Sequence, residues 1–324
     1  MTAVEPYEHY RERTDAPPGT VWGAFGDRDD LGMLNFLTSQ QTREAAALVR
    51  TGEVISLDYP VNTFVPSISG TRPAARHTIF SNNPNHRDDW LDSFYLQSSS
   101  QIDGLRHIRH PEAGFYDGVA DDEIAEGTPR LGLHHASERG IAGRGVLLDM
   151  TKYYADRGLE MPRTEAFTPQ ILEAAAAHQE LAFRSGDILL LHTGWAENYL
   201  SRTPEERQRG SAGLHQSRAM LEWLWDSQFS LVAADNPGLE AFPVDPDSGF
   251  FSPGEQLPER GPSHNGMMHR FVIPLLGLML GELWRLEPLA RACAADGRYE
   301  FFLTAKPLNL VGAVGSPPNA LAIR

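Results

Sequence analysis

Cysteine and positive charge are both scarce in this chain of 324 residues. Cys293 is the single cysteine, which excludes an internal disulfide framework and a cysteine-rich metal site. The chain has 28 lysines and arginines against 43 aspartates and glutamates, a formal net charge of −15. This acidic balance disfavours nucleic acid and anionic membrane as partners. It is compatible with a small-molecule substrate, since an anionic one would need only a local arginine.

Long apolar runs are missing as well. The run FVIPLLGLMLG (271–281) is interrupted by Pro274 and Gly277 and is too short to cross a bilayer. The first 20 residues are polar and acidic, without the apolar core of a secretory signal. We therefore expect a cytoplasmic protein without a membrane span. A loosely docked N-terminal arm is predicted over 1–20, and one domain over 21–324.

Helix and strand patterns alternate along the chain. Helices are predicted over 39–52, 168–183, 213–228 and 283–297. Thr38 or Ser39 is expected to cap the first of these, and Thr168 the second, with Pro169 at its first position. Strands are predicted over 53–61, 94–103, 143–150, 186–195, 229–235 and 299–316. Residues 70–90 are rich in turn formers and are predicted to be a long loop. Several strands follow one another closely, which indicates a mixed α/β or α+β domain.

A polar row stands out in the segment LQSSSQIDGLRH (96–107). Alternate residues of a strand share one face. Four polar side chains are therefore expected to project together: Gln97, Ser99, Gln101 and Asp103. Gly104 permits a turn that can return His107 toward this face. A buried polar row needs partners, and a metal ion or a hydrogen-bond network would each provide them.

His269 and Glu282 lie thirteen residues apart in the C-terminal third. In one continuous helix they would be about 20 Å apart, too far to share an ion with ligand bonds of about 2 Å. Pro274 and Gly277 interrupt the segment, and LGLMLGE can form a short buried strand. A turn of helix followed by a strand could bring His269 and Glu282 together. A glutamate in such an apolar segment is expected to be paired or metal-bound.

The segment 97–107 resembles the motif His-x-Gly-Thr-His-x-Asp-x-x-x-His of the cyclase-type metal-dependent hydrolases, which include kynurenine formamidases, isatin hydrolases and trans-dienelactone hydrolases. Asp103 and His107 match the motif, whereas Gln97 and Gln101 replace its two leading histidines and Ser-Ser replaces Gly-Thr. The similarity extends over nearly the whole chain. It includes the segments 21–38, 143–150, 185–195, 233–240, 269–284 and 307–317.

The resemblance implies a fold, a ligand set and a general base. The fold would be a β-barrel-like sheet core surrounded by helices, of the swivelling β/β/α type. The metal ligands would be Gln101 (through its amide oxygen), Asp103, His269 and Glu282. His107 would be the general base. With both histidines replaced we expect one ion per chain, Zn²⁺ or alternatively Mn²⁺. Family members associate, so a homo-oligomer is expected, and the N-terminal arm is the segment expected to exchange between subunits.

Such a site would open a cyclic ester or amide, or cleave a formamide, with water activated by the ion. Ser100 is predicted to help the catalytic groups by supporting the oxyanion. Substrate contacts are predicted for Gln97, Arg106 and Trp90. Arg76 and Arg109 are further candidates for anchoring a carboxylate, and the pocket wall is expected to include Trp22, Phe25, Phe80, Trp90 and Trp195. Two alternatives stay open: a metal-dependent lyase or dehydratase, and an inactive binding protein of the same fold.

Overall fold

The structure, a computed structural model, describes residues 4–207, 210–257 and 263–324. Its helices are α1 (Tyr7–Arg11), α2 (Ser39–Ala46), α3 (His134–Arg139), α4 (Met150–Asp156), α5 (Pro169–His178), α6 (Trp195–Leu200), α7 (Arg218–Asp226), α8 (His269–Leu276) and α9 (Glu287–Asp296). Its strands are β1 (Val54–Ser56), β2 (Arg76–Phe80), β3 (Asp88–Asp92), β4 (Gln101–Asp103), β5 (Ile141–Asp149), β6 (Ala166–Phe167), β7 (Ile188–His192), β8 (Gly213–Leu214), β9 (Leu231–Ala234), β10 (Leu280–Glu282), β11 (Glu300–Ala305), β12 (Gly315–Ser316) and β13 (Leu321–Ile323). Short 3-10 turns lie at Gly32–Phe36, Tyr116–Gly118 and Asp121–Glu123.

One nine-stranded sheet forms the centre, in the order β1-β13-β11-β5-β7-β9-β10-β4-β12. The strands β5, β7, β9 and β10 run parallel, and their neighbours on both sides are antiparallel. Every residue of β7 and β9 is buried, as expected for parallel strands that are covered on both faces. The sheet curls into a half-barrel surrounded by helices. This confirms the mixed α+β, barrel-like architecture expected from the sequence.

Helix caps follow the local sequence. The hydroxyl of Thr38 accepts a hydrogen bond from the backbone N–H of Gln41, whose side chain bonds back to Thr38, and Thr168 caps α5 in the same way from Ile171 N–H. The first predicted helix ends at Ala46 and not at Gly52. The backbone N–H groups of residues 51 and 52 instead donate to the carbonyl of residue 324. These bonds replace the hydrogen bonds that a longer helix would have supplied.

The long loop predicted over 70–90 is wrong in part, because β2 and β3 pair there as an antiparallel hairpin. Most of the hairpin residues are exposed. A strand pair without a buried face lacks the alternation of apolar and polar residues by which strands are recognised. The strand predicted over 94–103 is also shorter than expected, since only Gln101–Asp103 joins the sheet and Ser98 N–H donates to Tyr95 in a turn.

The N-terminal arm packs firmly on its own chain. Tyr7 and Tyr10 of α1 are buried. The Tyr7 backbone N–H donates to Asp226 at 2.8 Å, and the indole of Trp225 donates to the carbonyl of Glu5 at 2.9 Å. The loose docking expected for residues 1–20 is therefore wrong for the described part of the arm, whereas exchange between subunits stays a prediction. In the described ranges, helices long and apolar enough to cross a bilayer are absent.

Candidate metal centre

The register between β4 and β10 brings three of the four predicted ligands together, namely Gln101, Asp103 and Glu282. β10 pairs antiparallel with β4 so that Glu282 stands opposite Gln101 and Leu280 opposite Asp103. Gln101 and Asp103 are two residues apart and therefore share a face with Glu282. The Gln101 amide nitrogen donates to Glu282 Oε2 at 2.8 Å and to Asp103 Oδ1 at 3.2 Å. Two members of the predicted polar row, Gln101 and Asp103, thus share a face with Glu282 from a strand distant in sequence, whereas Ser99 lies outside β4 with its hydroxyl toward the Pro60 carbonyl.

His269 reaches the same point from the first residue of α8. Gly277 ends this helix in the left-handed conformation, with φ of 67°, and the chain then returns as β10. His269 Nε2 lies 3.0 Å from Glu282 Oε1. The turn of helix followed by a strand, predicted from Pro274 and Gly277, therefore does bring His269 and Glu282 together, although Pro274 lies inside the helix and only Gly277 terminates it.

Glu240 holds the histidine ring in place. Its carboxylate accepts hydrogen bonds from the backbone N–H groups of Met268 (2.7 Å) and His269 (2.9 Å), and contacts His269 Nδ1 at 2.5 Å. The carboxylate thus satisfies free N–H groups at the helix N-terminus and directs Nε2 toward Glu282. A carboxylate that orients a histidine in this way is the usual support of a metal-binding imidazole.

Buried charges control protonation at this point. Burial lowers the pKa of His269, but hydrogen bonds to Glu240 and Glu282 outweigh it and raise that pKa to about 10. Burial and the neighbouring Asp103 carboxylate raise the pKa of Glu282. One positive imidazolium therefore stands among three carboxylates. Such crowding of buried negative charge indicates a cation site.

Gln97 links the carboxylates to His107. Its amide nitrogen lies 2.5 Å from Asp103 Oδ1 and 3.1 Å from His107 Nδ1. Gly315, opposite Asp103 on β12, makes this position possible because a Cβ atom there would come within 2.5 Å of the Gln97 side chain. His107 Nε2 lies 3.7 Å from Asp103 Oδ2. The predicted turn at residue 104 does return His107 to the polar row.

The donor set fits a divalent transition metal. One ligand atom each from Asp103, His269 and Glu282 lies within 4.8 Å of the others, and two carboxylates with one imidazole suit Zn²⁺ or Mn²⁺. The fourth ligand expected from the sequence, the Gln101 amide oxygen, is turned away, because its nitrogen faces both carboxylates. Coordination by Gln101 would require its amide to rotate by half a turn.

A cavity of about 350 Å³ opens beside these groups. Its polar wall includes Gln97, Gln101, Asp103, His107, Glu282, Ser67, Ser69, Thr71, Arg72, Ser98 and His264. Its apolar wall includes Ile68, Ile108, Phe242, Met267 and Leu283. The volume is at the lower end of the range for small-molecule sites, which indicates a ligand of modest size.

Besides His269, which meets Glu282 behind the lining, three predicted site residues lie outside this cavity lining. The Ser100 hydroxyl donates to the Leu283 carbonyl at 2.6 Å and accepts from Tyr59 N–H. It points away because neighbouring strand residues face opposite sides. Arg106 is buried, and its guanidinium donates to backbone carbonyls of 123, 128, 130 and 312. Trp90 is 45% exposed on the β2–β3 hairpin. The geometry gives none of them a place against substrate.

The other predicted anchors and aromatic walls also lie elsewhere. Arg76 and Arg109 form ion pairs with Asp92 and Asp121 at the surface. The predicted aromatic wall residues (Trp22, Phe25, Phe80, Trp90 and Trp195) are not among the described residues that line the cavity. Cys293 is buried in α9, where burial raises the pKa of its thiol to about 12. An inert thiol, as the sequence indicates, is consistent with that position.

Two residues of the site were missed by sequence reasoning. Glu240 follows a buried strand by a few residues, and a buried carboxylate there is a signal that a partner cation or imidazole is near. Arg72 lines the cavity and donates to the Gln97 carbonyl. It lies in the turn-rich segment 70–90, where no local pattern separates a binding arginine from a solvated one.

Comparison with known proteins identifies the family of the chain. The family model Cyclase matches residues 55–241. A solved structure described as a novel cyclase is 31% identical and superposes with a TM-score of 0.78, covering 94% of this chain and 99% of its own. No curated protein matches the sequence.

More distant solved structures share the fold. Isatin hydrolase A from Labrenzia aggregata, bound to benzyl benzoate, is 16% identical with a TM-score of 0.54, covering 86% of this chain and 94% of its own. An isatin hydrolase bound to the product analogue thioisatinate is 16% identical with a TM-score of 0.53, covering 88% and 98%. The family match over more than half of the chain, with a 31% identical structure along nearly all of it, confirms the predicted family: this chain belongs to the Cyclase family.

Proposed function

We propose that the protein is a metal-dependent hydrolase that opens a small cyclic ester or amide, or cleaves a formamide. The observation that carries this proposal is the meeting of Asp103, His269 and Glu282, two of which, Asp103 and Glu282, line a small cavity. The fold shared with isatin hydrolases supports hydrolysis as the reaction class. A divalent cation, Zn²⁺ or Mn²⁺, would lower the pKa of water and polarise a carbonyl group when held by these ligands.

Three polar side chains beside the proposed ligands, Gln101, Gln97 and His107, have separate roles. Gln101 donates to Asp103 and Glu282 and keeps both carboxylates in the ligand positions. Gln97 donates toward His107 Nδ1, which leaves the ring proton on Nε2, facing Asp103. His107 accepts the proton of water at Nδ1 once the Gln97 amide turns aside. The resulting imidazolium is stabilised by Asp103, and it returns the proton to the leaving oxygen or nitrogen.

Specificity follows from the cavity lining. Among the described residues that line the cavity, Arg72 is the one arginine or lysine. Its guanidinium fits a carboxylate bidentately. We propose that it holds an acidic group on the substrate, which replaces the role expected for Arg106. Phe242, Ile68 and Met267 would contact the apolar ring of a lactone, lactam or aryl formamide. Homo-oligomeric assembly and a cytoplasmic location stay predictions.

The test compares metal uptake and turnover in matched variants. Asp103→Asn is expected to lose both, since it removes a ligand charge. His107→Ala is expected to keep metal uptake and to lower kcat by about 10²- to 10⁴-fold. His178→Ala is the control, because His178 is partly exposed and pairs with Asp156; it should retain both. Retention of metal and rate by Asp103→Asn would contradict the ligand assignment, and incorporation of ¹⁸O from labelled water separates hydrolysis from elimination.

A further inference from the structure

A second cluster of ligand-type side chains lies away from the cavity. His192 is the last residue of β7, Asp235 follows β9 directly, and Glu197 belongs to α6. One ligand atom from each lies within 4.8 Å of the others. His192 and Asp235 are 2% and 0% exposed. None of the three is among the described residues that line the cavity at Asp103, so the cluster is separate from the proposed active site.

His192 is oriented as a metal-binding histidine would be. Its Nδ1 lies 3.0 Å from Asp149 Oδ1, and Asp149 is itself fixed by hydrogen bonds from Thr151 and the Lys152 N–H. The opposite ring nitrogen, Nε2, lies 3.3 Å from Glu287 Oε2. A carboxylate behind one ring nitrogen, with the other directed at carboxylates, is also the arrangement of Glu240 and His269 at the first centre.

Buried polar atoms of all three residues lack hydrogen bonds. Asp235 Oδ1 accepts from the backbone and hydroxyl of Thr193 at 2.7 and 2.8 Å, and Glu197 Oε1 accepts from the Tyr59 hydroxyl. Within the described ranges, Asp235 Oδ2 and Glu197 Oε2 have no hydrogen-bond partner, and His192 Nε2 has only its ion pair with Glu287 at 3.3 Å. A buried polar group without a partner destabilises the folded state. Three together in one cluster call for a ligand that satisfies them at once.

The negative charge of the cluster also favours a cation as its ligand. Four carboxylates, those of Asp149, Glu197, Asp235 and Glu287, surround the single imidazole of His192. Arg291 pairs with Glu287 at 3.3 Å on the exposed side and leaves the buried carboxylates uncompensated. Even a protonated His192 offsets only one of them, and it presents one proton to several acceptors. A divalent cation would neutralise two charges and accept several ligands in one place.

We propose that His192, Glu197 and Asp235 bind a second divalent cation, of the Zn²⁺ or Mn²⁺ class, with Glu287 as an adjustable fourth ligand. A tetrahedral ion with bonds of about 2.1 Å holds its ligands roughly 3.4 Å apart. The three atoms within 4.8 Å therefore reach the ion with modest side-chain shifts. The ion ties the ends of β7 and β9 to α6, so its role is structural and does not depend on the proposed reaction.

Metal stoichiometry tests the proposal. The full chain, stripped of metal and equilibrated with Zn²⁺ in a competing chelator, is expected to bind two ions. Asp103→Asn should retain one ion, and Zn²⁺ should still raise its Tm. His192→Gln should also retain one ion, at the active site, and the double variant none. One ion in the wild-type chain and none in Asp103→Asn would overturn the second site while leaving the proposed function intact.

A measurement on the unaltered chain guards against variants that fail to fold. Crystals of the wild-type protein soaked in Zn²⁺ are expected to show an anomalous-scattering peak bounded by His192, Glu197 and Asp235, besides the peak at Asp103. A peak at Asp103 alone, with His192 hydrogen-bonded to Asp149 and Glu287, would overturn the proposal. Glu197→Gln, at a less buried position, offers a milder variant and should weaken the second ion without affecting the first.

Discussion

The affinity of the proposed centre at Asp103, His269 and Glu282 for a divalent cation is expected to depend steeply on pH. Carboxylates hold the pKa of His269 at about 10 in the metal-free protein, against an ordinary value of about 6.5. Nε2, the imidazole nitrogen proposed to bind the cation, therefore carries a proton toward Glu282 at neutral pH. A cation must displace that proton, so the raised pKa weakens binding below pH 10 and the weakening disappears as the pH rises through 10.

The size of the effect follows from proton competition. Between pH 7 and 9 the affinity should rise about tenfold per pH unit, or about 1.4 kcal/mol. A histidine with a pKa of about 6.5 would give almost no change over the same interval. Mn²⁺ is a suitable probe, titrated calorimetrically in buffers of different ionisation enthalpy. Near pH 7.5 close to one proton should be released from His269 for each ion that binds.

A variant at Glu240 tests whether this carboxylate causes the raised pKa of His269. Glu240→Gln removes the charge behind Nδ1, so it should lower the pKa of His269 and end the pH-dependent interval at a lower pH. Glu173→Gln is the matched control, since Glu173 is exposed and accepts one hydrogen bond from Trp223; it should leave the profile unchanged. An affinity that is flat from pH 7 to 9 in the wild-type protein would refute this account of His269.

The remaining predictions concern binding and packing. Arg72→Gln should raise KM for substrates that carry a carboxylate by about tenfold or more, with kcat little changed, whereas exposed Arg76→Gln should have no effect; equal KM values in steady-state assays would exclude Arg72 as the anchor. Gly281→Ala should lower the free energy of unfolding by about 1–3 kcal/mol in urea titrations, because its Cβ would lie 2.4 Å from Ala233 Cβ; unchanged stability would show that the strands separate easily. Thr168→Ala should cost about 1 kcal/mol in the same titration through loss of the α5 cap, and Ser39→Ala, beside the cap of α2, should cost much less.

Some features of the centre could be predicted from short segments. Gln101 and Asp103 share a face because strand residues alternate, and the same alternation places Ser100 on the other side, toward Leu283. The role predicted for Ser100 in the oxyanion site conflicted with that local rule. Pro274 and Gly277 were likewise the basis for predicting that the chain can turn back between His269 and Glu282, and of the two only Gly277 ends the helix, in the left-handed conformation.

Tertiary structure decided which side chains meet. Glu240 caps α8 from a loop beyond β9, and Arg72 reaches the cavity from a segment without regular periodicity. Their positions depend on strand order and on contacts between residues distant in sequence, which local propensities do not contain. Arg106 was predicted to contact substrate, but its guanidinium donates hydrogen bonds to backbone carbonyls that come near only in the folded chain.

By itself, the sequence determined the caps at Thr38 and Thr168, the buried central strands and the family motif around Asp103. These depend on interactions within a few residues, whose energies act before the chain is compact. Only the tertiary structure decided the β4–β10 register, the support of His269 by Glu240 and the cluster at His192. Those features arise where separate segments exclude water together, and burial of that kind is a property of the whole fold.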